Sequence, residues 1–443
     1  MLRKYGWMPA TGVVIANMIG SGIFTTTGFM AESVPSSTAI LALWTIGGVL
    51  AACGALCYAG LSRRHPESGA EYVYLRQNYG PIWGFLSGWA SFWVGFSAPT
   101  AAACIGFAEY LGFFFPGISR SSPLVNSVPI FNTNQLVACL AAIALTVLHS
   151  VSWRVGNTLQ GGIILLKLGC ILLFVVVGFF AGHGDWGHFT ESHSLRLGGA
   201  AVSLIFVLYS YSGWNAAAYI AEEIKDPEKN ITRALLAGTA IVTVLYIALN
   251  ALYLYALPVG EIAGVLRIGA KAATALLGPR MAAFFAAMMA VSILASASAM
   301  TFVGPRVYFA MARDKNFFSS FAQVHPVFDT PIHSICLQGI WTCALILTGT
   351  FESLITYAGF VLVFFGAMAV AALFLPANRS LVPGYPWIPG LFVTVSCWIL
   401  IYTFWERPAS SLWGVATVCS GLPFYFWFLR NKQRASSSLL RSE

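Results

Sequence analysis

Charged residues are scarce in this chain of 443 residues: Asp, Glu, Lys and Arg make up 9% of it, against roughly a quarter in soluble domains. So few charges cannot cover a soluble surface of this size, and 58% of the residues are hydrophobic. Such a chain is stable only where lipid is the solvent for most of its exterior. The composition therefore excludes a soluble protein and predicts an integral membrane protein.

Several chemical signatures are missing from the sequence. None of its nine cysteines forms a CxxC pair, and all of them fall in apolar runs, so we expect neither a disulfide framework nor a metal site. Paired acids, an HExxH motif and a Ser–His arrangement are missing at membrane depth, which disfavours an intramembrane enzyme and any cofactor. The net charge of +8 is scattered over short loops, which disfavours binding to nucleic acid.

Long apolar segments recur along the whole chain. About 20 apolar residues cross a bilayer as a helix, and stretches such as 161–180 lack the alternation of a barrel strand. We therefore expect an all-α integral membrane protein. By this measure the sequence predicts twelve spans, numbered 1 to 12 in chain order, at about 7–33, 38–62, 80–112, 133–153, 158–181, 199–221, 232–257, 274–304, 332–350, 353–376, 388–405 and 410–430.

Basic residues are distributed unevenly between the two sides of these spans. If the N-terminus lies inside, 17 of the 24 Lys and Arg residues fall on the inner side, six fall outside and Lys167 lies within span 5. Positive charge concentrates on the cytoplasmic side of membrane proteins. We therefore expect a multi-pass protein of the plasma (inner) membrane with both termini in the cytoplasm.

Two spans carry glycine-containing interruptions at similar depth. Span 1 contains Ile19-Gly-Ser-Gly-Ile-Phe24, and span 6 contains Tyr209-Ser-Tyr-Ser-Gly-Trp-Asn215. Glycine costs about 1 kcal/mol inside a helix, and a break within lipid is tolerated only where the backbone groups line a cavity or meet a ligand. Because the breaks lie five spans apart, the two units enter the membrane in opposite senses, which indicates an inverted-repeat secondary transporter. The predicted units are a first repeat at 7–181, a second repeat at 199–376, two further helices at 388–430 and a tail at 431–443.

The ends of the broken helices can bind a zwitterion. A helix N-terminus offers N–H groups and a partial positive charge, and a C-terminus offers C=O groups and a partial negative charge. Backbone groups at Gly20, Ser21 and Gly22 can approach a carboxylate closely, and Ser21 can add a hydroxyl. An ammonium group would meet the span 6 break, at Tyr209, Ser210, Tyr211 and Gly213. Since Asp and Glu are missing at mid-membrane depth, a net neutral substrate is favoured. The alternative is that these small residues serve close helix packing.

Four motifs in order give the chain a resemblance to a known family. Gly20-Ser-Gly-Ile-Phe24, Pro66-Glu-Ser-Gly-Ala-Glu-Tyr72, Tyr211-Ser-Gly-Trp-Asn215 and Glu222-Glu-Ile-Lys-Asp-Pro-Glu-Lys-Asn-Ile231 resemble the amino acid–polyamine–organocation superfamily, most closely its L-type amino acid transporter branch. The resemblance implies a LeuT-like fold of two inverted five-helix repeats plus two helices. It also implies amino acid transport by alternating access.

The resemblance also assigns roles to residues. The span 1 backbone from Ile19 to Ile23 corresponds to the family's carboxylate cradle, and Tyr209 stands where family members carry an aromatic gate. Many L-type relatives have Phe there, so the hydroxyl of Tyr209 is a departure. Animal members are disulfide-linked to a heavy chain through the loop after span 3. The corresponding segment, 113–132, has no cysteine, so such a partner is not expected and the partners are the amino acid and the bilayer.

Lys167 lies about ten residues into span 5, where a charge is costly and functional by default. In related sodium-independent transporters a lysine here replaces a sodium ion and bonds span 1 carbonyls and a span 8 hydroxyl. Ser296 and Ser298 are both candidates for that hydroxyl. Alternatives for Lys167 are snorkelling to an interface and carrying a proton through the cycle. Tyr246 and Asn250, one turn apart in span 7, can face the site or serve plain helix contacts.

The sequence therefore favours a sodium-independent transporter of neutral L-amino acids, working as an exchanger or a facilitator. The nearest rival is a proton-coupled symporter that uses Lys167. A channel is disfavoured because one asymmetric chain with two broken helices around a midplane site is typical of alternating access.

Overall fold

The computed structural model describes residues 5–118, 123–125, 128–151, 153–190, 196–328 and 330–439. Within these residues ten helices are long and apolar enough to cross a membrane. The two other predicted spans, 6 and 9, correspond to shorter apolar helices, Leu197–Tyr211 and Ile332–Thr348. A two-stranded antiparallel hairpin, β1 (Pro123–Val125) and β2 (Val128–Asn132), lies between spans 3 and 4.

The first half of the chain contains spans 1 to 5. Span 1 is two helices, as its glycines predict, and span 3 contains a π-helical turn at Ser91–Phe96. Helix α4 lies in the loop between spans 2 and 3. The helices are α1 (Trp7–Met18), α2 (Ser21–Ser33), α3 (Ser37–Arg64), α4 (Glu71–Tyr79), α5 (Pro81–Ala90), α6 (Ser97–Leu111), α7 (Thr133–Val151) and α8 (Trp153–Ala181).

The second half repeats the broken first helix. Span 6 is divided between α9 and the short α10, which supports the predicted interruption. The helices are α9 (Leu197–Tyr211), α10 (Ala216–Tyr219), α11 (Pro227–Ala256), α12 (Val259–Ile262), α13 (Ile268–Val303), α14 (Pro305–Arg313), α15 (Ile332–Thr348), α16 (Phe351–Ala371), α17 (Trp387–Glu406) and α18 (Pro408–Leu439). Single 3₁₀ turns lie at Trp186–Phe189, Ala221–Glu223, Ser319–Ala322, Ala372–Phe374 and Pro376–Asn378.

One predicted boundary needs correction. Span 8 was predicted to begin at 274 but begins six residues earlier, at Ile268. It bends at Gly278, which has a φ of 78° and precedes Pro279. Proline cannot donate the backbone hydrogen bond of a continuous helix, so the segment divides there. Helix α18 extends into the predicted tail as far as Leu439. Residues 440–443 lie outside the described part of the chain.

Spans of the first half pack against their counterparts in the second half. Span 2 packs against span 7, span 3 against span 8, and span 4 against span 9. Helix α2 of span 1 likewise packs against α9 of span 6. Such pairing is what a two-fold axis between the halves would produce, and it places the two breaks together in the middle of the bundle.

Candidate functional site

The two helix breaks lie in direct contact. Helix α1 ends at Met18 and α2 begins at Ser21, with Gly20 in an extended conformation between them. Gly213, in the span 6 break, has a φ of +101° that favours glycine. A Cβ atom on Gly213 would lie 2.8 Å from the carbonyl carbon of Asn17. The end of α1 therefore packs against the backbone of the span 6 break.

Gly20 and Gly22 are positions of close helix approach. A Cβ atom on Gly22 would lie 2.8 Å from the Cα atom of Ser210, and one on Gly20 would lie 2.6 Å from the hydroxyl oxygen of Ser296. The missing side chains thus make room for spans 6 and 8. These close approaches support the interpretation that the two glycines serve helix packing. The start of α2 beside them still has the backbone N–H groups that a ligand site would need.

This packing leads to a testable expectation for Gly20. Gly20→Ala should slow transport, because overpacking costs about 1–3 kcal/mol and the new methyl group meets Ser296. Replacing Ser296 by Gly as well removes the obstructing atoms and should restore both the melting temperature and the transport rate. Restored stability without restored transport would show instead that the methyl group obstructs the substrate.

Tyr246 connects the two breaks. Its hydroxyl oxygen lies 2.6 Å from the carbonyl oxygen of Met18 and 3.1 Å from that of Ser210. Asn250 donates to the Tyr246 carbonyl at 2.8 Å and accepts a hydrogen bond from Thr27 at 2.5 Å. Tyr246 thus faces spans 1 and 6, whereas Asn250 faces span 1, and their hydrogen bonds connect span 7 to the broken helices.

The helix ends carry the predicted binding groups. The first N–H groups of α2, at Ser21, Gly22 and Ile23, have no partner within the helix, and Gly20 supplies no side-chain cap. On α9, the Ser212 N–H donates to the Tyr209 carbonyl at 2.9 Å. The positive end of α2 is therefore the group best arranged for a carboxylate.

The two tyrosines at the end of α9 differ in surroundings. Tyr211 is fully buried, and its hydroxyl donates to the Trp44 carbonyl at 3.2 Å, so its side chain packs against span 2. Tyr209 is buried beside Ser21. Of the two, only Tyr209 lies where a gate residue would meet a substrate at the start of α2.

Lys167 is buried and bonds the end of α1. Its Nζ atom donates to the carbonyl oxygens of Ile19 at 2.8 Å and of Ala16 at 3.3 Å. The expected contact with span 1 carbonyls is therefore present, and Lys167 does not reach an interface. A buried ammonium group that bonds these oxygens occupies a position where a cation would otherwise bind them.

The span 8 hydroxyls lie on different sides. Ser298 pairs with His149 at 2.8 Å and so faces span 4 rather than Lys167. Ser296 faces Gly20. Ser292, one turn earlier on the same face, lines a small cavity with Lys167. Within the described part of the chain neither the Ser292 nor the Ser296 hydroxyl has a hydrogen-bond partner. Ser292 was not predicted, although its spacing of four from Ser296 was a usable signal.

A cavity of about 80 Å³ adjoins the span 6 break. Asn17, Ser212 and Asn215 contribute polar groups, and spans 3, 8, 10 and 11 contribute mainly apolar ones. Glu71 from α4 also lines it. Glu71 lies in the loop between spans 2 and 3 and outside the predicted spans, so the sequence did not single it out.

Two of the four sequence motifs, those in the loops after span 2 and after span 6, meet at the side of the bundle where α4 lies, here called the α4 side. Ser68 accepts a hydrogen bond from the Glu222 N–H at 3.1 Å, and Arg306 pairs with Glu223 at 2.9 Å. Arg313 pairs with Glu222 at 3.2 Å. These contacts join the loop after span 2 to the loop after span 6 and to α14, so movement of α10 must disturb them.

Comparison with known proteins agrees with this geometry. A family model described as amino acid permease matches residues 5–427. The chain is 28% identical to the large neutral amino acids transporter small subunit 2 of Rattus norvegicus, over 96% of this chain and 80% of that protein. It is 28% identical to the human b(0,+)-type amino acid transporter 1, over 97% and 88% of the two chains. It is 27% identical to the Asc-type amino acid transporter 1 of Mus musculus, over 98% and 82%.

These relatives are named as transporters rather than enzymes. They confirm the resemblance to the L-type branch and, with the helical membrane spans, the LeuT-like fold class. The chain is therefore a multi-pass membrane protein that transports amino acids. By the match over nearly its whole length, it belongs to the amino acid permease family of the amino acid–polyamine–organocation superfamily.

Proposed function

We propose that this protein moves neutral L-amino acids by alternating access without sodium, as an exchanger or a facilitator. The observation that carries this proposal is Lys167, whose ammonium group bonds the Ile19 and Ala16 carbonyls at the span 1 break. With a fixed positive charge at these oxygens, a sodium ion beside them would be repelled and would lack ligands. Transport then needs no sodium gradient.

The proposed substrate is a zwitterion held between the two breaks. Its carboxylate meets the N–H groups of the cradle, which runs from Ile19 to Ile23, and its ammonium group meets the carbonyl end of α9 and Gly213. The charges of the two helix ends match those of the substrate. The relatives support this choice, since one is named for large neutral amino acids and the others as amino acid transporters.

The proposed organisation is an inverted repeat of 7–181 and 199–376, followed by 388–430. It is supported by the broken first helix of each half and by the packing of spans 2, 3 and 4 against spans 7, 8 and 9. We place the protein in the plasma membrane with both termini in the cytoplasm. The relative from Rattus norvegicus is named a small subunit, whereas the segment 113–132 of this chain offers no cysteine for a disulfide-linked partner.

Purified protein in liposomes tests this proposal. Vesicles with and without internal amino acid are given a panel of labelled neutral amino acids, with sodium replaced by potassium in a matched set. We expect saturable uptake that is equal in both salts. Uptake that requires internal amino acid identifies an exchanger, and uptake without it identifies a facilitator. Sodium-dependent accumulation, or a current that does not saturate, would contradict the proposal.

Tyr209 gives a prediction about selectivity. If its ring closes over the substrate, Tyr209→Ala should raise the KM about tenfold or more, because a buried aromatic ring contributes roughly 1.5–3 kcal/mol, and should admit bulkier side chains. Tyr209→Phe is the matched control, since it keeps the ring and removes the hydroxyl. An unchanged KM and substrate profile in Tyr209→Ala would assign Tyr209 to packing.

A further inference from the structure

Glu71 is a buried carboxyl group beside the span 6 break. It begins α4 and is only 7% exposed. One of its oxygens, Oε1, accepts hydrogen bonds from the Tyr58 hydroxyl and from the Asn215 side-chain amide, both at 2.7 Å. Glu71 thus connects span 2 to the segment between α9 and α10.

The two oxygens of this carboxyl group have different surroundings. Among the described residues, Oε2 accepts no hydrogen bond of regular geometry, although the Tyr219 hydroxyl lies close enough to the carboxyl group to interact with it. Glu71 lines both the cavity of about 80 Å³ and a smaller one of about 20 Å³. A carboxylic acid has one carbonyl oxygen that accepts and one hydroxyl that donates. Oε1 with two donors and Oε2 beside the cavities fit that neutral form, with the acid proton on Oε2.

Among the residues that the structure describes, the neighbours of Glu71 supply no compensating positive charge. The titratable groups closest to it are three tyrosines, Tyr58 on span 2, Tyr74 on α4 and Tyr219 on α10. Spans 3, 8, 10 and 11 face the cavities with uncharged residues such as Ser87, Met300, Leu362 and Ser396.

Arginines on α4 and α14 are engaged with other carboxylates. Arg306 and Arg313 pair with Glu223 and Glu222, and Arg76 pairs with Glu67 and Asp314. An ionised carboxylate without a counter-charge is costly to bury. Burial accordingly raises the pKa of Glu71 above its ordinary value, by more than the neighbouring donors lower it.

We infer that the Glu71 carboxyl group is a proton-binding site whose protonated form holds the span 6 break closed on the α4 side. When the proton passes to water, the carboxylate becomes stable only if water reaches it, which requires α10 and α4 to separate. Asn215 carries this effect to the break, because its amide donates to Glu71 from the segment that follows Gly213.

The direction of the pH effect follows from linkage. The closed state binds the proton more tightly than the open state, where water surrounds the carboxylate, so the pKa of Glu71 is higher in the closed state. Raising the pH on the α4 side therefore favours opening. Each unit of difference between the two pKa values changes the ratio of closed to open protein by up to about tenfold.

Exchange of a labelled neutral amino acid in liposomes tests this inference. This measurement rests on the proposed function, because it needs a neutral amino acid to be transported. With equal pH on both sides, varied from about pH 5 to pH 8, wild-type exchange should rise with pH. Glu71→Gln keeps the two accepted hydrogen bonds and stays neutral, so its exchange should remain at the low-pH wild-type rate. Glu67→Gln, in the same loop but half exposed, is the matched control and should follow wild type.

Three results would overturn the inference. One is a flat wild-type profile, and another is a Glu71→Gln profile that still rises with pH. The third is that the wild-type protein transports arginine or lysine, and that Glu71→Gln abolishes this transport without changing the pH profile of neutral amino acid exchange. Glu71 would then be a binding site for a cationic substrate.

A readout that does not need transport separates this inference from the proposed function. Infrared difference spectra of the purified protein should show the C=O band of a protonated carboxyl group that fades as the pH rises. Glu71→Gln should lack this band, and Glu67→Gln should keep it. If no neutral amino acid is exchanged but the band titrates, only the proposed function fails. If exchange occurs but the band is missing, the Glu71 inference fails.

Discussion

Lys167→Ala is expected to slow exchange by about tenfold or more. The change leaves the Ile19 and Ala16 carbonyls without their donor in a buried region, and each buried group without a partner costs about 1–3 kcal/mol. The end of α1 would then be free to shift, and the balance between states of the cycle would change. Exchange rates in liposomes, at saturating substrate, measure the effect.

Lys271→Ala is a suitable control for this experiment. Lys271 lies at the start of span 8 and also donates to a backbone carbonyl, that of Glu261, at 2.6 Å. It has no part in the helix breaks, so its removal should leave the exchange rate close to that of wild type. If Lys167→Ala transports at the wild-type rate under every substrate and pH gradient, Lys167 neither replaces a sodium ion nor carries a proton.

The same variant distinguishes an exchanger from a proton-coupled symporter. In the exchanger the ammonium group stays charged, so no proton accompanies the amino acid and a pH gradient drives no accumulation. In the symporter Lys167 releases and regains a proton, so a pH gradient drives accumulation and Lys167→Ala abolishes it. The pH effect inferred for Glu71 is separable, because it appears at equal pH on both sides and persists in Lys167→Ala.

The fold could be predicted largely from the composition and from the two helix breaks in spans 1 and 6. Apolar segments define the spans because lipid tolerates few charges, and the glycines of span 1 and span 6 mark where helices end. The bend at Gly278 was missed because a Gly–Pro pair inside a long apolar run looks like part of one helix by hydropathy. The contact of Lys167 with span 1 was expected from the family resemblance and from its depth in span 5.

The site was harder to predict because tertiary packing decides which side chains reach it. Glu71 follows a polar loop motif, and only the fold turns it inward beside Asn215. Ser298 was a candidate partner for Lys167, but the helix turn places it beside His149. The sequence also could not show that the space at Gly22 is filled by Ser210, since that contact joins residues 188 positions apart.

The carboxylate cradle is a proposal that Ser21→Pro can test. Ser21 is the first residue of α2, where proline is tolerated because its N–H has no partner in the helix. Gly20 before it is extended, as a residue before proline prefers to be. The change therefore removes one N–H donor aimed at the substrate while the helix can remain intact.

We expect Ser21→Pro to weaken substrate binding by about 10- to 100-fold, since a hydrogen bond to a charged group contributes about 1.5–3 kcal/mol. Ser21→Ala removes only the hydroxyl and keeps the N–H, so the difference between the two variants isolates the backbone donor. Ser37→Pro, at the first position of α3, controls for proline itself and should bind like wild type. Binding isotherms and melting temperatures of the purified variants are the measurements. If a stable Ser21→Pro protein binds substrate with wild-type affinity, the carboxylate does not bind at the start of α2.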